Sequence, residues 1–405
     1  MGIMNNLGEN NVYKRNKYLK DIECYIGKDI IKVIVGMRRS GKSVLMRQII
    51  SYLVKTRNVS ETQILYIDKE SLVFDFLKNY MDLYNYVKER NPKFIFVDEV
   101  QEILGWEKAI ASFHKEGMDV YVTGSNARML SSDLATYLAG RYISFHIHPL
   151  SFEEFVEFHD KTEEDKAKVF DEYLKLGGFP VLLQFKGDTR ASYGLIGDIF
   201  ETIILKDIVA RHNIRGVHLL QNIIKYVADN IANTFSANKV SEYLKSQQTK
   251  MSPETVHDYL EFLIETYALY RVRRYDVQGK RHLEVSEKFY LADVGLRHAL
   301  IDYRANDIGQ YLENIVYLEL LRRGYTVSVG RIGNKEIDFI AEKRGEKEYI
   351  QVCYLLATEA VREREYGVLH EIQDSFPKLV LSMDAESVGT HEGIRHRNIV
   401  NWLLE

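Results

Sequence analysis

The chain has 405 residues, of which 46% are hydrophobic and 28% are charged, enough for two to four soluble domains. Its 54 lysines and arginines against 58 aspartates and glutamates give a formal net charge of −4, so no global positive field indicates a nucleic-acid partner. Cys24 and Cys353 lie far apart and outside any metal-ligand spacing, which argues against a disulfide framework and a structural zinc site. No segment has the uncharged apolar length of a membrane helix, and we expect a cytoplasmic protein without a membrane partner.

Short apolar runs alternate with helical patterns between residues 30 and 150. The runs are IIKVIV (30–35), ILYI (64–67), FIFV (94–97), VYVT (120–123) and YISFHI (142–147). Near-continuous apolar strands separated by helices are typical of a parallel sheet that is covered on both faces. The pattern predicts an α/β domain over residues 1–150.

Three further segments follow in chain order. Residues 151–220 are helical in pattern. Residues 221–300 contain three helical patterns and then two β runs, at 269–275 and 281–291, which is the order of a winged helix-turn-helix. Residues 301–405 begin with a helix at 308–323, continue with several short strands and close with a helix at 395–404, which predicts a second, smaller α/β domain.

Residues 36–43 have the sequence GMRRSGKS, which matches GxxxxGK[ST] and lies between a β run and an amphipathic helix. In such a loop, glycines let backbone N–H groups curl around phosphates, and the helix N-terminus adds its positive end. Lys42 would reach the β- and γ-phosphates, and Ser43 would ligate Mg²⁺. Two alternatives are open for Arg38 and Arg39. In one of them, one of the two arginines contacts phosphate, and in the other both face solvent. The predicted nucleotide-binding residues are Gly36, Arg39, Ser40, Gly41, Lys42, Ser43 and Val44.

Two carboxylates follow the buried run FIFV. Asp98 suits Mg²⁺ binding, either as a direct ligand or as a partner of the ligands, and Glu99 suits a base that polarises the attacking water. After the next strand, Ser125 or Asn126 would contact the γ-phosphate or that water, with a plain helix N-cap as an equal alternative. Lys42, Asp98, Glu99 and Asn126 are therefore the predicted catalytic residues of the chain's own site.

Several longer runs resemble one family. VIVGMRRSGKS, FIFVDEVQEI followed by GWEKAI, and GSNARML with LAGRYISFHIHPLSFEEF are similar to the AAA-type ATPases of bacteria and archaea that carry a C-terminal domain of uncharacterised function. KLGGFP, LKDIVARHNIR and REREYGVL are similar to the same family, so the resemblance covers nearly the whole chain. It implies an AAA+-like P-loop NTPase fold, ATP and Mg²⁺ as cofactors, and a lid or connector at 151–220. It also implies a homo-oligomeric ring or filament in which Arg141 completes a neighbour's site in trans, with a structural salt bridge as the alternative role of Arg141.

The two β runs after residue 268 carry a local excess of positive charge. Between residues 271 and 281, five cations stand against one acid, Asp276. Such a concentration suits the phosphate backbone of DNA, although similar modules also connect proteins. The predicted DNA-contacting residues are Arg271, Arg273, Arg274, Lys280 and Arg281.

The last segment resembles the restriction-endonuclease-like fold with its PD-(D/E)XK site. Glu313 lies on a helix and Asp338 on a strand, and Gln351 and Cys353 lie on the next strand. In that fold, acids hold Mg²⁺ and a lysine activates water or stabilises the phosphate. Here Gln351 takes the position of the second acid and Cys353 that of the lysine, and glutamine is a poor Mg²⁺ ligand. The sequence therefore predicts a degenerate, inactive nuclease-like domain over 301–405.

Taken together, these patterns predict a Mg²⁺-dependent ATPase that oligomerises and couples ATP to the binding or remodelling of DNA, with branched DNA as one candidate. An ATP-gated regulatory or defence switch that acts through protein partners is the first alternative. An ATP-regulated, metal-dependent nuclease is the second.

Overall fold

The computed structural model describes residues 13–130, 138, 140–162, 164–185, 188–246, 251–385 and 389–405. The chain forms two compact units. The first unit comprises Met1–Pro149 with Glu265–Tyr267, and the second comprises Leu150–Ile264 with Ala268–Glu405.

A five-stranded parallel sheet forms the centre of the first unit, in the order β2-β3-β4-β1-β5. Its strands are β1 Ile31–Val35, β2 Ile64–Asp68, β3 Phe94–Asp98, β4 Asp119–Gly124 and β5 Tyr142–His146. Every residue of β1, β3 and β4 is buried, whereas the edge strands β2 and β5 are partly exposed. The predicted parallel α/β sheet is confirmed, and its continuous apolar runs are the strands that need cover on both faces.

Helices pack against this sheet. The described part of the first unit contains the α-helices Asn16–Glu23, Lys42–Lys55, Tyr80–Arg90 and Trp106–Lys115, and the 3-10 turns Glu61–Gln63, Leu72–Phe74, Val100–Glu102 and Ala127–Leu130. Apolar residues at helical spacing on Lys42–Lys55, such as Leu45, Ile49 and Leu53, join sheet residues Ile34 and Phe96 in one core cluster. That helix therefore starts at a fixed place, directly beyond the carboxyl end of β1.

An eight-stranded mixed sheet lies in the second unit, in the order β12-β13-β11-β10-β9-β8-β6-β7. Its strands are β6 Leu269–Asp276, β7 Arg281–Leu291, β8 Thr326–Ile332, β9 Lys335–Lys343, β10 Glu346–Val352, β11 Lys378–Ser382, β12 Gly389–His391 and β13 Ile394–Asn398. The pairs β6/β8, β10/β11 and β11/β13 are parallel, and the other neighbours are antiparallel.

The remaining helices lie before, between and after these strands. They are Phe152–Phe158, Lys166–Leu176, Thr189–Thr202 with its π-helical continuation Ile203–Val209 and the turn Ala210–His212, Val217–Asp229, Ala237–Ser246, Pro253–Glu265, Val294–Ile301, Ile308–Arg322, Glu359–His370 and Ile399–Leu403, with 3-10 segments Pro180–Phe185 and Ala305–Asp307. The helix predicted at 395–404 is shorter than expected, because residues 394–398 pair with β11 and β12 as strand β13.

The hairpin β6–β7 belongs to the same sheet as the C-terminal segment. Arg274 pairs with Val329 and Asp276 with Arg331, so β6 and β8 form a parallel ladder. The boundary that sequence analysis drew at residue 300 therefore cuts through one sheet, because pairing between strands some 50 residues apart leaves no local signal in the sequence. The lid, the winged helix and the nuclease-like domain stay predictions.

Asp293 connects two segments of the second unit. Its carboxylate accepts the Gly295 N–H at 2.7 Å, which caps the helix Val294–Ile301, and the Gly178 N–H at 2.6 Å. A Cβ on Gly177, whose φ is +76°, would lie 1.9 Å from an Asp293 oxygen, so the glycine is required there. Burial raises the pKa of Asp293 to about 6, against the opposing effect of the hydrogen bonds from Gly178 and Gly295.

Asp293→Asn tests the linkage between this buried carboxyl and stability. Because the folded-state pKa of Asp293 lies above its ordinary value of 3.8, only the folded state holds the proton between about pH 4 and pH 6. The contribution of Asp293 to the stability of the folded protein therefore increases as the pH falls through that window and decreases as the pH rises. We expect the melting temperature of the wild type minus that of Asp293→Asn to be larger at about pH 4.5 than at about pH 7.5. A difference that does not change with pH would show that Asp293 titrates normally.

Candidate functional site

The loop between β1 and the helix Lys42–Lys55 has a backbone that few side chains allow. A Cβ on Gly36, whose φ is +149°, would lie 2.2 Å from the carbonyl oxygen of Ile147. Arg39 and Gly41 adopt positive φ angles of 66° and 102°. Such left-handed residues curve the backbone so that successive N–H groups point inwards, which forms an anion-binding concavity at a helix N-terminus.

Lys42 is buried at the floor of this loop. Its side chain is 4% exposed, and its ammonium donates to the carbonyl oxygen of Met37 at 3.2 Å and lies 3.5 Å from a Glu99 carboxylate oxygen. The helix begins at this residue, so its side chain lies where the loop N–H groups converge. A phosphate in the loop would meet this ammonium. Val44, two residues further along the helix, is half-buried.

Asp98 ends the inner strand β3 and is 2% exposed. It accepts hydrogen bonds from Ser43, from Tyr66 at 3.0 Å and from the hydroxyl of Thr123. Burial raises the pKa of Asp98, and the hydrogen bonds from Thr123, Ser43 and Tyr66 oppose that rise. The bond to Ser43 joins the two residues that the sequence selected as Mg²⁺ ligands.

Glu99 turns away from the strand with a φ of +52° and stays buried. The Ser125 hydroxyl donates to its carboxylate at 3.0 Å, and the side-chain amide of Gln101 donates to the same oxygen. Burial raises the pKa of Glu99. Lys42, Gln101, Arg38 and Ser125 together lower it by more, so the net pKa lies below its ordinary value. Glu99 is therefore an ionised acceptor near Lys42, which is the state a base that polarises water needs.

Three buried polar atoms in this region have no hydrogen-bond partner in the described part of the chain. They are the Asn126 side-chain nitrogen, the Ser40 hydroxyl and the Gln101 side-chain oxygen. Asn126 is 2% exposed, and its side-chain oxygen accepts the Arg128 N–H at 2.8 Å, so only the amide nitrogen is left over. An unsatisfied buried polar group costs about 1–3 kcal/mol, and a ligand with acceptor oxygens would remove that cost.

Arg141 lies apart from these residues. Its carbonyl oxygen accepts the N–H of Ile31 at 2.8 Å, at the start of β1, whereas the loop with Lys42 follows the far end of that strand. A strand of five residues separates the two ends, roughly 15 Å at about 3.3 Å per residue. The side chain of Arg141 is exposed. The structure does not bring Arg141 into the site of its own chain, and its role in trans stays a prediction.

Sequence analysis missed several residues that surround Asp98 and Glu99. Tyr66 ends up beside Asp98 because β2 neighbours β3, and the hydroxyl of Thr123 does so because β4 neighbours β3 on the other side. Gln101 reaches back to Glu99 across one turn. The sequence shows polar residues near the ends of apolar runs. Which of them contact one another depends on the order of the strands in the sheet, and the sequence does not show that order.

Two of the five predicted DNA-contacting cations are engaged by acids of their own unit. Arg271 pairs with Glu261 and lies 3.8 Å from Glu287. Arg274 lies 3.4 Å from Glu336, and its side chain is 14% exposed. Five cations stand against one acid along the segment, but neighbouring strands and helices bring further acids to Arg271 and Arg274.

Three cations of the same hairpin are exposed. Arg273 lies on β6, and Lys280 and Arg281 lie at the turn and at the start of β7. Lys280 has a φ of +49°, which places it at the tight turn of the hairpin. The hairpin tip is therefore the part of the predicted basic surface that stays open to a phosphate backbone.

The predicted nuclease-like residues meet around a buried lysine that the sequence analysis did not select. Lys288, on β7, lies 2.8 Å from Glu313, 2.7 Å from Glu336 and 3.9 Å from Asp338. Burial lowers the pKa of Lys288. Glu313, Asp338 and Glu336 together raise it by more, so the net pKa lies above its ordinary value and the ammonium stays charged. Burial raises the pKa of both Glu313 and Asp338.

Gln351 links Asp338 to a second carboxylate. Its side-chain oxygen accepts the Asp338 N–H at 2.7 Å, and its amide donates to Glu365 at 2.8 Å. Cys353 is buried beside them, in the wall of an open cleft of about 1050 Å³. Across the described residues, no group of three or more His, Cys, Asp or Glu side chains is arranged to hold a metal ion.

Comparisons with known proteins identify two matched regions. Residues 28–156 match the family described as AAA domain (AAA_14), and residues 167–307 match a domain of unknown function (DUF8612). No helix in the described part of the chain is long and apolar enough to cross a bilayer.

Two uncharacterised proteins resemble nearly the whole chain. One, from Haemophilus influenzae, is 35% identical over 399 residues, which cover 96% of this chain and 98% of that protein. The other, from Methanocaldococcus jannaschii, is 31% identical over 364 residues, which cover 85% of this chain and 79% of that protein.

Solved structures are more distantly similar. The Walker-type ATPase of Pyrococcus abyssi matches with a TM-score of 0.47 and 15% identity, over 72% of this chain and 97% of that one. The Orc1 protein of Aeropyrum pernix in complex with DNA matches with a TM-score of 0.34 and 10% identity, over 73% and 94%. From the sequence relatives, the chain belongs to the family of these Haemophilus and Methanocaldococcus proteins, and its first unit carries an AAA-type P-loop domain.

Proposed function

We propose that this protein is a Mg²⁺-dependent ATPase that assembles into oligomers and couples ATP binding and hydrolysis to the binding or remodelling of DNA. The observation that carries the ATPase part is the convergence of Lys42, Asp98 and the ionised Glu99 at a glycine-dependent anion loop. The unpartnered buried atoms of Ser40 and Asn126 support a polar ligand at this place.

Each residue has a distinct task in this proposal. The loop N–H groups bind the phosphates, and Lys42 exchanges its contacts with Met37 and Glu99 for phosphate oxygens. Ser43 and Asp98 would hold Mg²⁺, which supplies charge neutralisation for the phosphates. Glu99 polarises the water, and the free amide hydrogens of Asn126 donate to the γ-phosphate or to that water.

Lys42→Ala and Glu99→Gln separate nucleotide binding from hydrolysis. Lys42→Ala removes the buried cation of the loop and should lose nucleotide binding. Glu99→Gln keeps the shape of the side chain but not its charge, and should bind ATP while its turnover falls about 10²–10⁴-fold. Fluorescent-nucleotide binding and phosphate release measure the two effects. Glu102→Gln changes an exposed carboxylate three residues further along and is the control. Full turnover in Glu99→Gln would contradict the assignment of the base.

The proposal of assembly is supported by the position of Arg141, which is exposed and lies at the opposite end of β1 from the loop of its own chain. In this proposal Arg141 contacts the phosphate bound to a neighbouring copy. The wild-type rate per subunit should therefore rise with protein concentration, and Arg141→Ala should bind ATP but show little turnover.

Mixing two inactive variants tests this arrangement directly. Arg141→Ala supplies intact Glu99, and Glu99→Gln supplies intact Arg141. In a mixed oligomer some interfaces regain both groups, and we expect turnover to reappear above that of either variant alone. A mixture as inactive as its components, together with a concentration-independent wild-type rate, would count against catalysis in trans.

DNA coupling rests on the exposed cations at the hairpin tip, Arg273, Lys280 and Arg281. We expect ATP hydrolysis to be stimulated to different degrees by single-stranded DNA, duplex and a four-way junction at one low salt concentration. Replacing all three cations by alanine should weaken DNA binding and reduce its salt dependence, by about 0.9 in the logarithmic slope for each lost duplex contact. Lys88→Ala, an exposed cation of the first unit, is the control. Equal rates with every DNA would remove the DNA part of the proposal.

A nucleotide-gated switch that acts on protein partners is the second candidate. It is favoured by exposed apolar side chains on the first unit. Leu72 and Val73, neighbours in one 3-10 turn, are 90% and 71% exposed, and Leu104 is 79% exposed. Large exposed apolar side chains occur at protein interaction sites. Slow ATP turnover that ignores DNA, together with assembly driven by ATP, would distinguish this candidate from the DNA-coupled enzyme.

A further inference from the structure

The two arginines inside the phosphate loop point in different directions. The side chain of Arg38 is 11% exposed, and its guanidinium donates to a Glu70 carboxylate oxygen at 2.7 Å. Arg39 follows with its backbone in the left-handed region and is exposed. One loop therefore holds one inward and one outward arginine, and the two require separate explanations.

Arg38 lies at the same end of the sheet as Glu99. Its partner Glu70 follows β2, in which Asp68 pairs with Asp98 of β3, the residue before Glu99. Lys42 and Glu99 flank the position that the proposed function gives to the γ-phosphate and its attacking water. A second cation at this end of the sheet, on the same loop as Lys42, belongs to the γ-phosphate side of the site.

The resting partner of Arg38 is easy to replace. Glu70 lies just beyond β2, and its side chain is 51% exposed, so its attraction for Arg38 is weakened by water. A triphosphate carries more charge and offers several oxygens, and a planar guanidinium binds two of them at once. Phosphate should therefore displace Glu70 from Arg38.

From this geometry we infer that Arg38 is a built-in cation that contacts the γ-phosphate and stabilises its charge during hydrolysis, with Glu70 as its partner in the nucleotide-free state. The inference rests on the proposed ATPase function and deepens it. During hydrolysis the water oxygen bonds to the γ-phosphorus, and the bond to the bridging oxygen breaks with its electron pair on ADP. The water proton passes towards Glu99 and on to solvent. Arg38 transfers no proton, and it offsets the charge on the γ-phosphoryl oxygens.

Arg38→Ala is compared with Arg90→Ala, because each removes one arginine of the first unit. Arg90 is exposed at the end of the helix Tyr80–Arg90, before the start of β3, and lies outside the site. Arg38→Ala should lower turnover at least about 10³-fold, the lower range for an arginine that stabilises this charge. It should also reduce the preference for ATP over ADP, since only ATP carries the γ-phosphate, while ADP affinity changes less than about twofold. Arg90→Ala should stay within about twofold of the wild type in both measurements. Arg38→Lys should recover part of the turnover, because it restores the charge without the planar fork.

Glu70→Gln tests the resting partner. Without the competing carboxylate, ATP should bind about two- to fivefold more tightly, the range expected for a half-exposed ion pair. Arg38 acts in the site of its own chain, whereas Arg141 is proposed to act in the site of a neighbour. The effect of Arg38 on the preference for ATP should therefore persist at dilutions where the subunits are separate.

The outcomes separate this inference from the function on which it rests. If the wild type binds and hydrolyses ATP but Arg38→Ala behaves like Arg90→Ala, the inference is wrong and the ATPase stands. If the wild type binds no nucleotide, the proposed function itself fails. If Arg38→Ala does not fold, as judged by thermal melting, Arg38→Gln takes its place in the same comparison, and an unchanged ATP-over-ADP preference in that variant overturns the inference.

Discussion

The first unit depends on a buried ion pair that is incomplete by itself. Lys42 and Glu99 lie 3.5 Å apart, at side-chain exposures of 4% and 9%. Removing two charges from water is costly, and their attraction recovers the cost only with good geometry and further hydrogen bonds. Glu99 has those bonds from Ser125 and Gln101, whereas among the described residues Lys42 donates to one carbonyl oxygen, that of Met37. A triphosphate would complete the surroundings of this lysine.

The order of the strands in the sheet positions the side chains around Asp98 and Glu99. Since β3 lies between β2 and β4, Asp98 receives Tyr66 from one neighbour and Thr123 from the other. The hydroxyl of Thr123 also accepts the Glu99 N–H at 2.8 Å, which fixes the turn where Glu99 has a positive φ. Non-glycine residues in that region cost about 1–3 kcal/mol and persist only when their surroundings determine them. The strain at Glu99 and Arg39 therefore belongs to the same site.

The sequence predicts what local patterns encode. Continuous apolar runs predict the five strands of the first unit, and GMRRSGKS predicts the loop, because strand burial and phosphate binding each need particular residues at close spacing. It does not predict which way Arg38 and Arg39 point, since both sit in one loop of positive charge. The meeting of Glu70 with Arg38 and the joining of β6 to β8 depend on contacts across tens of residues. The burial of Lys288 is not predicted either, because its acidic partners are distant in the sequence and a lysine on a hairpin usually faces water.

Two of the buried lysines, Lys42 and Lys288, differ in which polar atoms around them have no hydrogen-bond partner. Lys288 contacts the carboxylates of Glu313 and Glu336 at 2.8 and 2.7 Å, and the described surroundings leave no buried polar atom of Lys288, Glu313, Asp338 or Gln351 without a partner. An ammonium therefore lies among the acids that the sequence assigned to a nuclease-like site. Around Lys42, by contrast, Ser40, Gln101 and Asn126 keep unpartnered buried atoms in the described part of the chain. Because an unpaired buried polar group is costly, these atoms favour a polar ligand in the first unit.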